Sequence, residues 1–301
     1  MLSIGIDHGN YNTKSSNGLI YPSGYTVSAV RPVSDADLLE YAGLNYSIGT
    51  RRFAVQYDKC ADEAALILTM PALGHAMQLA NVQEGEFALG VGLPLSAYST
   101  FKDKFREYLL KPKGFHFIWR GIEYAARIAA VSVYPQGYAA YLPSFNDFAR
   151  YENISFLDIG GYTIDIFQTY RGRLQAGSTK SLLTGTIMLL RRAADELARL
   201  DIRLTEIQLA TAISGGKVEH LRKQEVADVL NQVRAEYVRD LANMLREHEI
   251  DVGTPIVLIG GGAELLEAEL RARMYVVGTL DKYANARGYK QWLERDLLKA
   301  I

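Results

Sequence analysis

Two short acidic turns, about half the chain apart, constrain what this sequence can fold into. Asp7-His8-Gly9-Asn10-Tyr11-Asn12 and Asp158-Ile159-Gly160-Gly161-Tyr162-Thr163 match at Asp, Gly and Tyr, and each follows a run of apolar β-formers. Glycine lets the backbone turn tightly and bring its N–H groups close to an anion, and an Asp at a strand end can hold a hydrated cation opposite that anion. Two such turns imply two similar lobes, each supplying one wall of a shared cleft. The length of 301 residues suits two domains of roughly 150 residues each.

Charge narrows the partners. Lys and Arg number 33 against 34 Asp and Glu, a formal net charge of −1, so there is no global attraction to a polyanion. Direct nucleic-acid binding is therefore not expected. The apolar fraction of 49% and charged fraction of 22% are those of a globular protein, not of a disordered or coiled-coil chain. The single cysteine, Cys60, excludes an internal disulfide and a four-thiolate zinc site and points to a reducing cytoplasm. The chain reaches Asp7 before a signal-peptide apolar region can form. Its longest uncharged stretch, Ile128 to Asn146, is broken by Pro135, Gly137 and Pro143, so no membrane contact is expected.

Short β-branched runs mixed with helical patterns predict an α/β fold. Strands are expected at Ser3–Asp7, Tyr11–Ser15, Phe87–Leu93, Ile128–Val133, Ile154–Asp158, Thr163–Thr169 and Ile256–Ile259. Apolar residues at spacings of three and four predict a long covering helix from Val218 to about Glu247. Thr205-Glu206-Ile207-Gln208 has the form of a capping box, so another helix should start there and stop near Gly215-Gly216.

A third glycine turn, Ile259-Gly260-Gly261-Gly262-Ala263, leads into a predicted helix reaching Arg273, whose N-terminal amides suit a phosphate. Lys14 falls on the second arm of the first hairpin, within reach of a phosphate. The commoner nucleotide signatures fail. Gly216-Lys217 lacks the rest of a P-loop, and Gly260-x-Gly262 is followed by Leu265 where a dinucleotide fold needs Gly or Ala. The five histidines have no metal-binding spacing, and no Gly-x-Ser-x-Gly elbow is present.

Taken in order, Asp7-x-Gly-x-x-x-x-Lys14, Asp158-Ile-Gly-Gly-Tyr-Thr-Ile-Asp165 and Ile259-Gly-Gly-Gly-Ala263 resemble the phosphate-1, phosphate-2 and adenosine motifs of the actin, Hsp70 and sugar-kinase ATPase superfamily. Gly90-Val-Gly-Leu-Pro-Leu95 followed by a helix over Phe101–Lys111 is similar to a block of the ParM/StbA-type bacterial actins. Val131-Ser-Val-Tyr-Pro-Gln-Gly137 looks like the first connecting segment of that superfamily and Leu183-Thr-Gly-Thr186 like the second.

The resemblance implies an actin-like α/β ATPase fold of two RNase-H-like lobes around a nucleotide cleft. The first lobe is residues 1–150, with a C-terminal helix over about 281–301 packing back on it, and the second is 151–280. It implies ATP, with GTP as the alternative, and Mg²⁺ held through water by Asp7 and Asp158. Catalytic roles fall to these two acids, to Gln136 as the residue that positions water, and to Asp165 as its support. Nucleotide contacts fall to Gly9, Asn10, Tyr11, Asn12 and Lys14, to Gly160, Gly161, Tyr162 and Thr163, to Gly185 and Thr186, and to Gly260, Gly261, Gly262 and Ala263. It further implies self-assembly into filaments, a DNA-bound adaptor protein, plasmid segregation and a cytoplasmic location.

A small-metabolite kinase of the same superfamily is the alternative reading, but the sequence offers no convincing catalytic base beyond Asn146-Asp147. A chaperone-like module would need a substrate domain after the ATPase, and none is expected in a chain ending at Ile301.

Overall fold

Residues 87–93 read Phe-Ala-Leu-Gly-Val-Gly-Leu, large and small in strict alternation. A strand there presents one bulky face and one nearly bare face. In the computed structural model, which describes residues 1–33, 36–56 and 58–299, that strand is central to the first of two compact units. The first comprises Met1–Asn146 and the segment from Tyr283 onward, and the second comprises Asp147–Lys282.

The strands of the first unit are β1 (Leu2–His8), β2 (Asn12–Ser15), β3 (Ile20–Pro22), β4 (Tyr25–Ser28), β5 (Leu38–Tyr41), β6 (Leu44–Ile48), β7 (Glu84–Leu93), β8 (Phe115–Trp119) and β9 (Ile122–Pro135). They form one sheet in the order β3-β2-β1-β7-β9-β8-β5-β6-β4. Strands β1, β7 and β9 are parallel, while β2 folds back antiparallel on β1 and β3 antiparallel on β2. The bulky face carries Ile4, Ile6, Phe87, Leu89, Val91 and Leu93 and shares its core with α1 (Ala64–Leu79) and α2 (Leu95–Leu110). Helix α1 is apolar on nearly every side, and Met70, Ala72, Leu73 and Met77 are wholly buried around its internal Pro71. A helix without an amphipathic stripe gives no periodic signal, which is why the sequence predicts no element there. Helix α2 begins six residues before the predicted Phe101, directly after Pro94. Two single turns, α3 (Tyr138–Tyr141) and α4 (Phe145–Phe148), follow.

The second unit holds β10 (Asn153–Ile159), β11 (Ile164–Tyr170), β12 (Arg173–Leu174), β13 (Lys180–Leu182), β14 (Ile256–Ile259) and β15 (Val276–Leu280). Their order is β12-β11-β10-β14-β15, with β13 also on β11. The plan of β1 is repeated: β10 is antiparallel to β11 and parallel to β14, which is parallel to β15. Phe156 and Phe167 stack across β10 and β11 with centroids 4.5 Å apart, a cross-strand pair that pins the register. The helices are α5 (Thr186–Arg199), α6 (Glu206–Ile213), α7 (Lys223–Glu247) and α8 (Gly261–Arg271).

Helix α6 carries the predicted capping box, with Gln208 N donating to Thr205 Oγ1 and Thr205 N donating to Gln208 Oε1. Helix α7 starts at Lys223 rather than Val218. His220 Nδ1 accepts from Arg222 N, so the chain before Lys223 is tied locally instead of helically, and Leu221 projects into solvent at 99% exposure. The apparent periodicity of Val218 and Leu221 was coincidental.

The last helix, α9 (Ala284–Lys299), lies against β1 and β7 of the first unit, on their bare face. Glycine makes the seat. A Cβ on Gly5 would lie 1.8 Å from Ala286 O, one on Gly90 2.5 Å from Tyr289 O, and one on Gly92 2.0 Å from Tyr289 Oη. Among the described residues, no helix is long and apolar enough to cross a membrane.

Candidate functional site

In open parallel sheets, ligands bind beyond the carboxyl ends of the strands. In the first unit those ends carry Asp7 on β1 and Gln136 just past β9. Asp7 is 2% exposed and stands in register with Lys14 on β2, whose Nζ lies 3.0 Å from its Oδ2. The turn between them needs glycine, because a Cβ on Gly9 would lie 2.7 Å from Asn12 O. Buried Ser23 braces this turn: its Oγ donates to Gly9 O, its N donates to Tyr11 O, and its Oγ also pairs with Thr13 Oγ1 at 2.9 Å. Arg52 lies over the Tyr11 ring at 3.9 Å and donates from Nε to Tyr11 O. Asn12 starts β2, opposite Pro22.

Gln136 is partly buried, and its N donates to Leu93 O at 2.8 Å, tying the segment after β9 to the end of β7. Gly137 turns with φ of 73° and donates its N–H to Asn285 Oδ1 at 2.8 Å. Asn285 belongs to α9 and is buried, so the last helix fixes the backbone beside Gln136.

Three side chains at the first turn escape a sequence reading. His8 Nε2 lies 2.9 Å from Thr69 Oγ1, which itself donates to Ala65 O at 2.7 Å. Thr69 must therefore accept from the Nε2–H of His8. Burial, followed by the charge of Lys59, lowers the His8 pKa to about 3. Lys59 Nζ donates to Asn10 Oδ1 at 2.5 Å, and Gln56 N donates to the same oxygen at 3.3 Å. A long separation along the chain hides Lys59 and Thr69 from any local motif.

The second unit gathers its residues around β10. Asp158 is 4% exposed and faces Asp165 on β11 in the register that pairs Asp7 with Lys14. Gly160 N donates to Thr163 O at 2.9 Å, and a Cβ on Gly160 would lie 3.1 Å from that carbonyl. Burial raises the Asp165 pKa, opposed by hydrogen bonds from Ser181 and from Thr163. Gly185 and Thr186 pack on this turn: Gly185 N donates to Tyr162 O, Thr186 N to Gly160 O and Ile187 N to Gly161 O. A Cβ on Gly185 would lie 2.5 Å from the Gly161 carbonyl group.

Beyond β14, Gly260 adopts φ of 94°, and a Cβ there would meet Asp158 Oδ1 at 2.9 Å. Helix α8 opens on Gly261, Gly262 and Ala263, with no side chain capping its first amides. The nearest atom to a Cβ on Gly261 would be Lys282 Cβ at 3.6 Å, while one on Gly262 would strike Ile159 and Thr186.

These donors fit a nucleotide and its cation. Each turn brings glycine backbone close to its neighbours, and each unit carries one buried carboxylate near the end of a central strand. Mg²⁺ typically takes one or two such groups and completes its shell with water and phosphate.

The architecture is that of the actin-like ATPases, as the comparisons with known proteins show. The model for the N-terminal domain of actin-like proteins matches residues 5–138, and the model for the C-terminal domain of the archaeal MreB-like actin homologues matches residues 156–272. Between them the two cover most of the chain, which belongs to the actin-like protein family. Among solved structures, the chain is similar to Ta0583, an archaeal actin homolog, with a TM-score of 0.74 at 20% identity over 98% of this chain and 100% of that one. ParM of Bacillus thuringiensis with ATP superposes with a TM-score of 0.73 at 15% identity over 99% of each chain. The 15-stranded ParM filament of Clostridium botulinum gives 0.71 at 16% identity, over 97% of this chain and 99% of that one. No curated protein sequence matches.

Proposed function

We propose that the chain is a Mg²⁺-dependent ATPase that assembles into filaments and releases them as it turns over. The observation that carries this reading is the repeated hairpin. Asp7 opposite Lys14 and Asp158 opposite Asp165 share one register, and each is followed by a glycine where a Cβ would crowd the carbonyl that closes the turn, at 2.7 Å for Gly9 and 3.1 Å for Gly160. Both turns are assigned to one nucleotide, GTP being the alternative to ATP.

In this reading Asp7 and Asp158 hold the hydrated cation, while Lys14 and the amides of Gly9 to Asn12 and of Gly161 to Thr163 donate to phosphate oxygens, and Gly160, whose own N–H closes the turn on Thr163 O, lets the phosphate approach. Gly185 and Thr186 support the second turn, and Gly260 to Ala263 let α8 approach the adenosine end. Gln136 orients the attacking water and Asp165 supports that network. Bound Mg²⁺ supplies charge neutralisation at the phosphates; phosphoryl transfer otherwise needs positioning more than covalent help.

The similarity to a ParM that binds ATP and to a ParM filament supports nucleotide use and self-assembly. A cytoplasmic role in moving plasmid DNA through a DNA-bound adaptor completes the proposal. Phosphate release measured for wild type and Asp158→Ala tests its chemical half. Turnover should vanish in the variant because the cation loses one of its two protein-side anchors. Wild-type turnover in Asp158→Ala would overturn the two-turn assignment.

A further inference from the structure

Lys59 is a cationic group at the first turn that the proposed function leaves unused; Arg52, the other, is engaged with the Tyr11 ring and carbonyl. Lys59 lies between β6 and α1, and its ammonium reaches the turn itself, donating to Asn10 Oδ1 at 2.5 Å. That neutral amide is its hydrogen-bond partner among the described residues, where no carboxylate comes within ion-pair distance of it. Asp7 and Asp62 act on it only through space, and burial outweighs them, bringing its pKa down to about 8.

Lys59 is partly buried, and an ammonium that loses water without an anion in contact is disfavoured; proteins ordinarily supply the counter-charge. Lys14 has such a partner, since Asp7 stands 3.0 Å from it. The uncompensated positive charge at this turn therefore rests on Lys59. A lysine has three N–H donors, and Asn10 takes one. Lys59 also lines one pocket with His8, Gly9 and Asn10.

We propose that Lys59 is an anion-binding residue that donates to a phosphate oxygen of the nucleotide held at the Asp7 to Asn10 turn. The inference rests on the nucleotide reading above. The competing role is a purely structural tie between the segment before α1 and the Asn10 side chain.

Equilibrium titration of wild type, Lys59→Gln and Lys59→Arg with a fluorescent ATP analogue and Mg²⁺, alongside melting curves with and without ATP, separates the two. Lys59→Gln should bind about tenfold or more weakly, the scale of one charge-assisted hydrogen bond. Lys59→Arg, which keeps the charge, should stay within about tenfold of wild type and above the Gln variant. Without nucleotide, Lys59→Gln should melt at or above the wild-type temperature, because it removes a desolvated charge while keeping an amide at Asn10. Equal affinity for wild type and Lys59→Gln would overturn the proposal, as would a lower unliganded melting temperature with unchanged affinity. A wild type that binds no nucleotide would instead overturn the reading of the site on which the proposal rests.

Discussion

Asp165, a partly buried carboxylate opposite Asp158, couples stability to pH. Burial raises its pKa above the ordinary carboxylate value. The unfolded chain therefore gives up this proton first, and unfolding releases a proton between the two pKa values. Stability falls as pH rises through that interval and stays at the lower level above it. Asp165→Asn removes the dependence. Its melting temperature should equal or exceed that of wild type at about pH 7, with the advantage shrinking toward about pH 4, while phosphate release drops. Thermal melts across that range check the first outcome. Gln136 gives a separate test. If its amide only orients water, Gln136→Ala should keep ATP affinity and lower turnover by about 10 to 100-fold, with filaments that persist longer after ATP addition. Unchanged phosphate release would remove it from the catalytic set. The acids and glycines of both turns could be read from sequence because each turn is one contiguous hairpin. Lys59 and Asn285 could not, because the fold alone brings them to Asn10 and Gly137.

Elements divide the same way. Helix α6 announces itself, since its cap is written in four adjacent residues, and Thr205→Ala should cost about 1 kcal/mol in urea unfolding. Helix α1 does not, because a buried helix needs no alternation between polar and apolar faces. The start of the long helix α7 is masked for a related reason, as Val218 and Leu221 imitate its period without joining it. The bare face of β7 is visible in Ala88, Gly90 and Gly92, yet nothing local says that α9 fills it. Gly5→Ala places a methyl 1.8 Å from Ala286 O, and one element must move. The expected destabilisation is about 1–3 kcal/mol or more. Limited proteolysis should then release a C-terminal fragment that wild type protects.

At the scale of the molecule, both units repeat one strand order around one acidic turn, so the half-chain echo in sequence reflects a repeated plan rather than a chance match. A chain whose two halves differ in detail presents unlike surfaces, and head-to-tail contacts between unlike surfaces that do not close build open filaments. Light scattering should accordingly rise with Mg²⁺-ATP above a threshold protein concentration and decay as ATP is consumed. A flat trace with normal ATP binding would point to the kinase alternative. The glycine seat of α9 also has a consequence for synthesis. The first unit is interrupted by the whole of Asp147–Lys282 before its own last helix is made. On the ribosome, Gly5, Gly90 and Gly92 stay uncovered through that interval, because the helix that covers them is synthesised after all the rest of the fold. Translation thus orders the assembly: the half begun first is the half finished last.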